Sequence, residues 1–339
     1  MKQINQQNQL RSSWPYLTVV VLLHMLGLIL MWIGSGDNKM LVGMALVAYM
    51  LGTRHAFDPD HIAAIDNSVR KLLQENKKTL GIGFYFSLGH SSVVLLMSIA
   101  LGVSAGWAQR HLPQLQHIGG IIGMSVSGTF LLIIGIINLI ILVQLIRLFK
   151  DVKDSDPGND KLEELLKSRG FFSRLIGPFY KVLNKEWHLY PLGFLFGLGF
   201  DTASEIALLA LSASASTSSF SLAGILALPI LFAAGMSLFD TLDGIFMTRA
   251  YDWAFIKPIR KLYYNITITM ISVIAAIVIG LIEIFQLTAE NLHLNGRFWT
   301  SVQGISLEYM GYLLVALFLV SWIVSYVVWK VFKIEERYS

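Results

Sequence analysis

Eight long apolar blocks interrupt this 339-residue sequence, near residues 14–34, 40–69, 80–106, 118–149, 190–214, 221–249, 263–288 and 306–333. About 20 consecutive apolar residues let a helix cross the roughly 30 Å of hydrocarbon in a bilayer, and each block is long enough. A soluble fold is excluded on the same ground: 55% of residues are hydrophobic and only 14% charged, with a mean hydropathy of +0.61. The expected fold is therefore an all-α, polytopic membrane protein with eight transmembrane helices. The first block lacks a small-residue cleavage site and reads as a retained helix rather than a removable signal.

The charges set the orientation. Of the 26 Lys and Arg residues, 22 fall in alternate loops or the two termini: before the first block, in 70–78, in 147–185, in 249–261 and in the tail. Positive loops stay on the cytoplasmic side, so both termini are expected inside a cytoplasmic (inner or plasma) membrane. The net charge of +4 then reflects topology rather than nucleic-acid binding. The chain contains no cysteine, which removes disulfides, thiolate metal sites and cysteine nucleophiles.

The one long polar interval, 150–189, reads as a cytoplasmic linker between an N-terminal membrane half (1–149) and a C-terminal one (190–339). The halves share short matches. Leu51-Gly52 precedes an acidic motif as Leu198-Gly199 does, and Ser87-Leu88-Gly89-His90 resembles Ser237-Leu238-Phe239-Asp240. These offsets map the second block onto the fifth, three spans later, which reverses its orientation and points to a 3+3 inverted repeat with substrate held near the midplane. The serine-rich segment 212–221 reads as a short external connection.

Ionisable groups inside hydrocarbon cost about 2.5–3.5 kcal/mol each for Asp, so they face partners or cavities. The second block carries Arg54, His55, Asp58, Asp60, His61 and Asp66; the third carries His90, the fifth Asp201 and Glu205, the sixth Asp240 and Asp243. His55 and His61, six apart, would diverge on an ideal helix. Pro59 between them lacks an amide donor and is expected to free the carbonyl of His55 and break the helix, letting both imidazoles and Asp60 converge on one ion. Asp201 and Glu205, four apart, share a face, as do Asp240 and Asp243, three apart. Imidazole with carboxylate and no sulfur suits borderline first-row divalent ions. The candidate metal residues are thus His55, Asp58, Asp60, His61, His90, Asp201, Glu205, Asp240 and Asp243. Arg54 reads as a structural counter-charge, and Asp58 either caps the segment after it or joins the ligands. His24, in the first block, is a candidate for the access path. Asp66 reads as a cap or interfacial residue, and Glu283 as solvated near the outer interface.

At these residues the sequence resembles the nickel/cobalt transporter family, NiCoT, whose hallmark His-x4-Asp-His is matched by His55, Asp60 and His61. Leu88-Gly89-His90-Ser91-Ser92, Leu198-Gly199-Phe200-Asp201-Thr202-Ala203-Ser204-Glu205, and Gly235-Met236 with Asp240-Thr241-Leu242-Asp243-Gly244 resemble three further family motifs in order. Pro59 departs from the alanine of the family's motif. The resemblance implies a secondary permease that takes up Ni²⁺ or Co²⁺ as substrate, with no prosthetic group. Other readings are transport of Zn²⁺ or Mn²⁺, transport outward, a cation channel, a metal sensor, and an intramembrane metalloenzyme. Efflux relatives carry a histidine-rich loop, whereas 150–189 holds only His188. No Gly-x4-Gly-Lys phosphate loop occurs, so no ATPase activity resides in the chain and no ATPase subunit is expected.

Overall fold

The computed structural model describes residues 6–36, 38–75, 77–103, 105–155, 183–199, 203–217, 220–255, 258–307 and 309–331. Among them every regular element is helical and there is no strand. The helices are α1 (Gln6–Ser35), α2 (Lys39–His55), α3 (Pro59–Gln74), α4 (Ile82–Val103), α5 (Ala105–Ser155) and α6 (Leu189–Gly197). They continue as α7 (Ala203–Thr217), α8 (Leu222–Phe255), α9 (Pro258–Asn291), α10 (Arg297–Gln303) and α11 (Met310–Val331). Five helices are long and apolar enough to cross a membrane, and the bent pair α2–α3 makes a sixth candidate span. Two shorter apolar helices, Ser204–Ala215 and Met310–Ser321, lie in the fifth and eighth apolar blocks. Each block is predominantly helical over its described residues, and the outer surfaces of α1 and α11 present Val21, Leu22, Leu313 and Val320 without cover, as a lipid-facing helix does.

The second block is broken where the proline predicted it: α2 and α3 meet at 51° across residues 56–58. Pro59 occupies the first turn of α3, where its missing N–H is one the helix would leave unpaired anyway. The carbonyl of His55, expected free, instead accepts from the amide of Asp58 at 2.9 Å, because α2 tightens into i→i+3 bonds as it ends. The fifth block is broken as well, into α6 and α7. The serine-rich stretch is not a loop up to residue 217: α7 runs through Thr217, and Ser212 is fully buried.

Packing is governed by close backbone approach, which small residues permit in a membrane. A Cβ at Gly89 would overlap the carbonyl of Tyr190, and one at Gly193 the carbonyl of Phe86, so α4 and α6 interlock from both sides. Similar contacts set Gly52 of α2 against Phe232 of α8, and Gly83 of α4 against Asp240. The α8 helix, packed on α1, α2, α3 and α4, is the central strut. A second pair, α5 with α9, joins through Gly128 and Gly280. At 51 residues, α5 is about 76 Å long at 1.5 Å per residue, far more than a membrane requires.

Two cations counted above as loop charges are interior. Arg70 is wholly buried and Lys71 2% exposed, both within α3. They fall at the end of an apolar block, where a linear reading cannot distinguish an interface from a polar interior.

Candidate metal centre

The break between α2 and α3 delivers two histidines to one point. His55 ends α2, His61 lies in the first turns of α3, and His90 enters from α4. All three are at most 3% exposed. Their ring centroids form a near-equilateral triangle with sides of 4.6, 4.7 and 4.8 Å. One nitrogen from each lies within 4.8 Å of the other two. Nitrogens that share an ion at about 2.0–2.1 Å stand roughly 3–4 Å apart, so slight closure makes this a ligand set.

Carboxylates orient the rings. Asp58 Oδ2 is 2.6 Å from His55 Nδ1, which donates to it and turns Nε2 toward His90. Asp58 thus holds the N-cap position of α3 without capping it. Asp240 Oδ2 stands 3.4 Å from Nδ1 of His61, whose Nε2 is buried with no hydrogen-bond partner. His90 Nε2 lies 2.8 Å from His55 Nε2 and 2.9 Å from Glu205 Oε1. One N–H cannot satisfy both acceptors. Three imidazoles with a carboxylate in contact form a nitrogen and oxygen donor set suited to a borderline divalent cation. Phe86 and Phe232 wall the His61 and His55 rings with apolar surface.

A cavity of about 660 Å³ approaches this cluster from one side as far as Asp58, lined by Arg54, Asp58, Asp60, Glu283, Glu290 and His117 among others but not by His55, His61 or His90. It extends to the exposed Gln303 and Ile305, at the end of the molecule where α9 turns into α10. Gln286 of α9 bonds the carbonyls of Val302 and Ile305 and fixes that rim.

Of the residues singled out from sequence, His55, Asp58, His61, His90, Glu205 and Asp240 meet directly. Asp60 and Arg54 line the cavity, and Asp243 follows Asp240 one turn along α8 with a buried, unbonded Oδ2. Asp201 lies outside the described residues. His24 bonds Val20 O at 2.8 Å on its own helix and reaches Tyr49 at 3.4 Å, so both nitrogens are engaged there. Glu283 is 6% exposed and faces the cavity rather than lying solvated at an interface, because α10 and its flanks cover the end of α9. His117 and Glu290 were not foreseen, since a single polar residue near a block end carries no signal of its own.

A helical, multi-pass membrane protein with an imidazole and carboxylate cluster at a broken span belongs to the metal-transporter class. The family model described as high-affinity nickel-transport protein, NicO, matches residues 41–328, and the chain is a member of that family. It is 58% identical over 330 residues to the nickel transporter NixA of Staphylococcus aureus, covering 97% of this chain and 98% of that one. The high-affinity nickel-transport protein NixA of Helicobacter pylori strain 26695 is 53% identical over 324 residues, 94% of this chain and 97% of its own. The cobalt transport protein NhlF of Rhodococcus rhodochrous is 41% identical over 311 residues, 89% and 88% of the two chains. These relatives are transporters and not enzymes, which sets the metalloenzyme reading aside. No solved structure matches the chain.

Proposed function

We propose that this protein imports Ni²⁺, and Co²⁺ with it, across the cytoplasmic membrane by alternating access. The observation that carries the reading is the convergence of His55, His61 and His90, with the Glu205 carboxylate 2.9 Å from His90. Relatives named for nickel and for cobalt support both ions. Eight spans with both termini cytoplasmic put the 660 Å³ cavity on the outer side, so the conformation described faces outward. The ion sheds water at Asp58 and Asp60 and is taken by the three imidazoles. Asp58 and Asp240 act from behind the rings, fixing the tautomers that present Nε2. Asp201 is assigned to the transport site, and His24 to the access path, from sequence alone, and Arg54 balances the acids of the cavity wall.

The organisation into halves 1–149 and 190–339 joined by 150–189 is part of the same reading. What supports an inverted repeat is that the second and fifth blocks, mapped onto each other by the offset of 147, both break into two helices. The same offset pairs Asp58 with Glu205, the two carboxylates that contact the histidine pair.

The test is ⁶³Ni²⁺ and ⁵⁷Co²⁺ uptake by cells expressing the native chain, His55→Ala, Asp60→Asn and His188→Ala at equal membrane abundance. His55→Ala is expected to abolish uptake and Asp60→Asn to reduce it, while His188→Ala leaves it unchanged. Equal uptake in all four rejects the site.

A further inference from the structure

Beyond the histidine cluster, on the side away from the cavity, the interior of α3 carries a second charged assembly. Asp66 and Arg70 are both fully buried, one turn apart, with Asp66 Oδ2 3.7 Å from the guanidinium. That separation is an ion pair without a hydrogen bond, and Asp66 Oδ2 and Arg70 Nε have no hydrogen-bond partner at all. The guanidinium is held chiefly by neutral groups: it donates to Thr269 and Ser272 of α9 and to Tyr251 of α8, and lies 4.7 Å over the Tyr251 ring. Tyr251 in turn donates to Asp66 Oδ1.

Acidic side chains connect this assembly to the histidines. Asp240 touches His61, and Asp243 lies one turn further along α8. At that level Gly244 of α8 packs beside Ile65 of α3, the neighbour of Asp66. The Asp240 Oδ1 and Asp243 Oδ2 atoms are buried without partners. A buried cation that bonds three hydroxyls, and pairs only loosely with its carboxylate, is poorly compensated for its lost hydration. A divalent ion has the stronger claim on the same oxygens.

We propose that Asp66 with Asp243 forms an inner, oxygen-only site for a divalent cation, and that Arg70 closes it in this conformation by standing where the ion would go. The proposal rests on the transport reading above and adds the release step. An ion leaving the imidazoles passes Asp240 and Asp243 and displaces the guanidinium from Asp66, which loosens α3 from α8 and α9. Carboxylate and hydroxyl oxygens hold a borderline ion less tightly than imidazole does, so the inner site releases rather than retains it.

The experiment is equilibrium dialysis of the purified, detergent-solubilised full chain with ⁶³Ni²⁺. Arg70→Gln is expected to bind one more ion per chain than the native protein, at an affinity about tenfold or more below the imidazole site. Adding Asp66→Asn to Arg70→Gln removes that extra ion. His55→Ala with Arg70→Gln keeps the inner ion and loses the outer, so failure of the imidazole site is read separately. A well-folded Arg70→Gln protein with native stoichiometry overturns the proposal. Should Arg70→Gln not fold, the isosteric Asp66→Asn alone decides. It is expected to bind Ni²⁺ at the imidazoles within about threefold of native affinity while uptake falls about tenfold or more. Native uptake by Asp66→Asn, or joint loss of binding and uptake, overturns it.

Discussion

Asp58 shows how much one carboxylate can decide. At the N-cap of α3 its side chain ignores the helix amides and binds His55 Nδ1 at 2.6 Å, exchanging a capping bond worth about 1 kcal/mol for control of an imidazole tautomer. Asp58→Asn keeps the shape and loses the charge. Its amide still fits the N-cap, so the protein is expected to accumulate normally while Ni²⁺ affinity, measured by dialysis on purified protein, falls about 10–100-fold. The cluster itself was legible in the sequence, because His55, His61, His90, Glu205 and Asp240 are costly in hydrocarbon and must meet something. Their division of labour was not. Asp60 stands at the cavity wall whereas Asp58 and Glu205 touch the rings, a distinction set by helix rotation and the 51° bend. Arg70 was hidden for the opposite reason: near a block end, a buried guanidinium and a cytoplasmic anchor give the same hydropathy.

Helices bring these side chains together only because backbones can touch. At the α4–α6 crossing, Gly89 and Gly193 each face a carbonyl of the other helix. His90 follows Gly89 directly, so the spacing of that pair sets how far its imidazole reaches. Gly193→Val must force the helices apart at a cost of about 1–3 kcal/mol or more. The expected outcome is a lower melting temperature in detergent together with reduced Ni²⁺ uptake. The broken second block was predictable from Pro59, whose fixed backbone starts a helix more readily than it continues one. The broken fifth block was not, since Gly197-Leu198-Gly199 interrupts the helix without changing its apolar character. The same blindness to backbone geometry let 212–217 pass as a loop.

Across the whole molecule the two ends differ in packing. One end holds a cavity of about 660 Å³ that extends to Asp58 at the edge of the cluster; at the other, Asp66, Asn67, Arg70, Tyr251 and Ser272 are buried together, with Asn138 of α5 bonded to Asn67. With the cavity outside, inward passage moves two positive charges down the membrane potential, about 4.6 kcal/mol per 100 mV. In proteoliposomes holding a valinomycin–potassium potential of about 100 mV, inside negative, a uniporter is expected to accumulate Ni²⁺ towards a ratio of about 2,000. Collapsing the potential should release it. Accumulation unaffected by the potential would point to another driving ion. The apolar blocks carried the membrane class, but which end is tightly packed depends on tertiary structure that no linear pattern encodes.

One rod joins both ends of this design. Helix α3 carries His61 near its start and Arg70 nine residues later, about 13 Å along a single rigid axis. In the proposed cycle, a shift of an ångström as an imidazole settles onto its guest passes along this rod to the bolt on the far door. Recognition and opening share one lever, and no separate messenger is required.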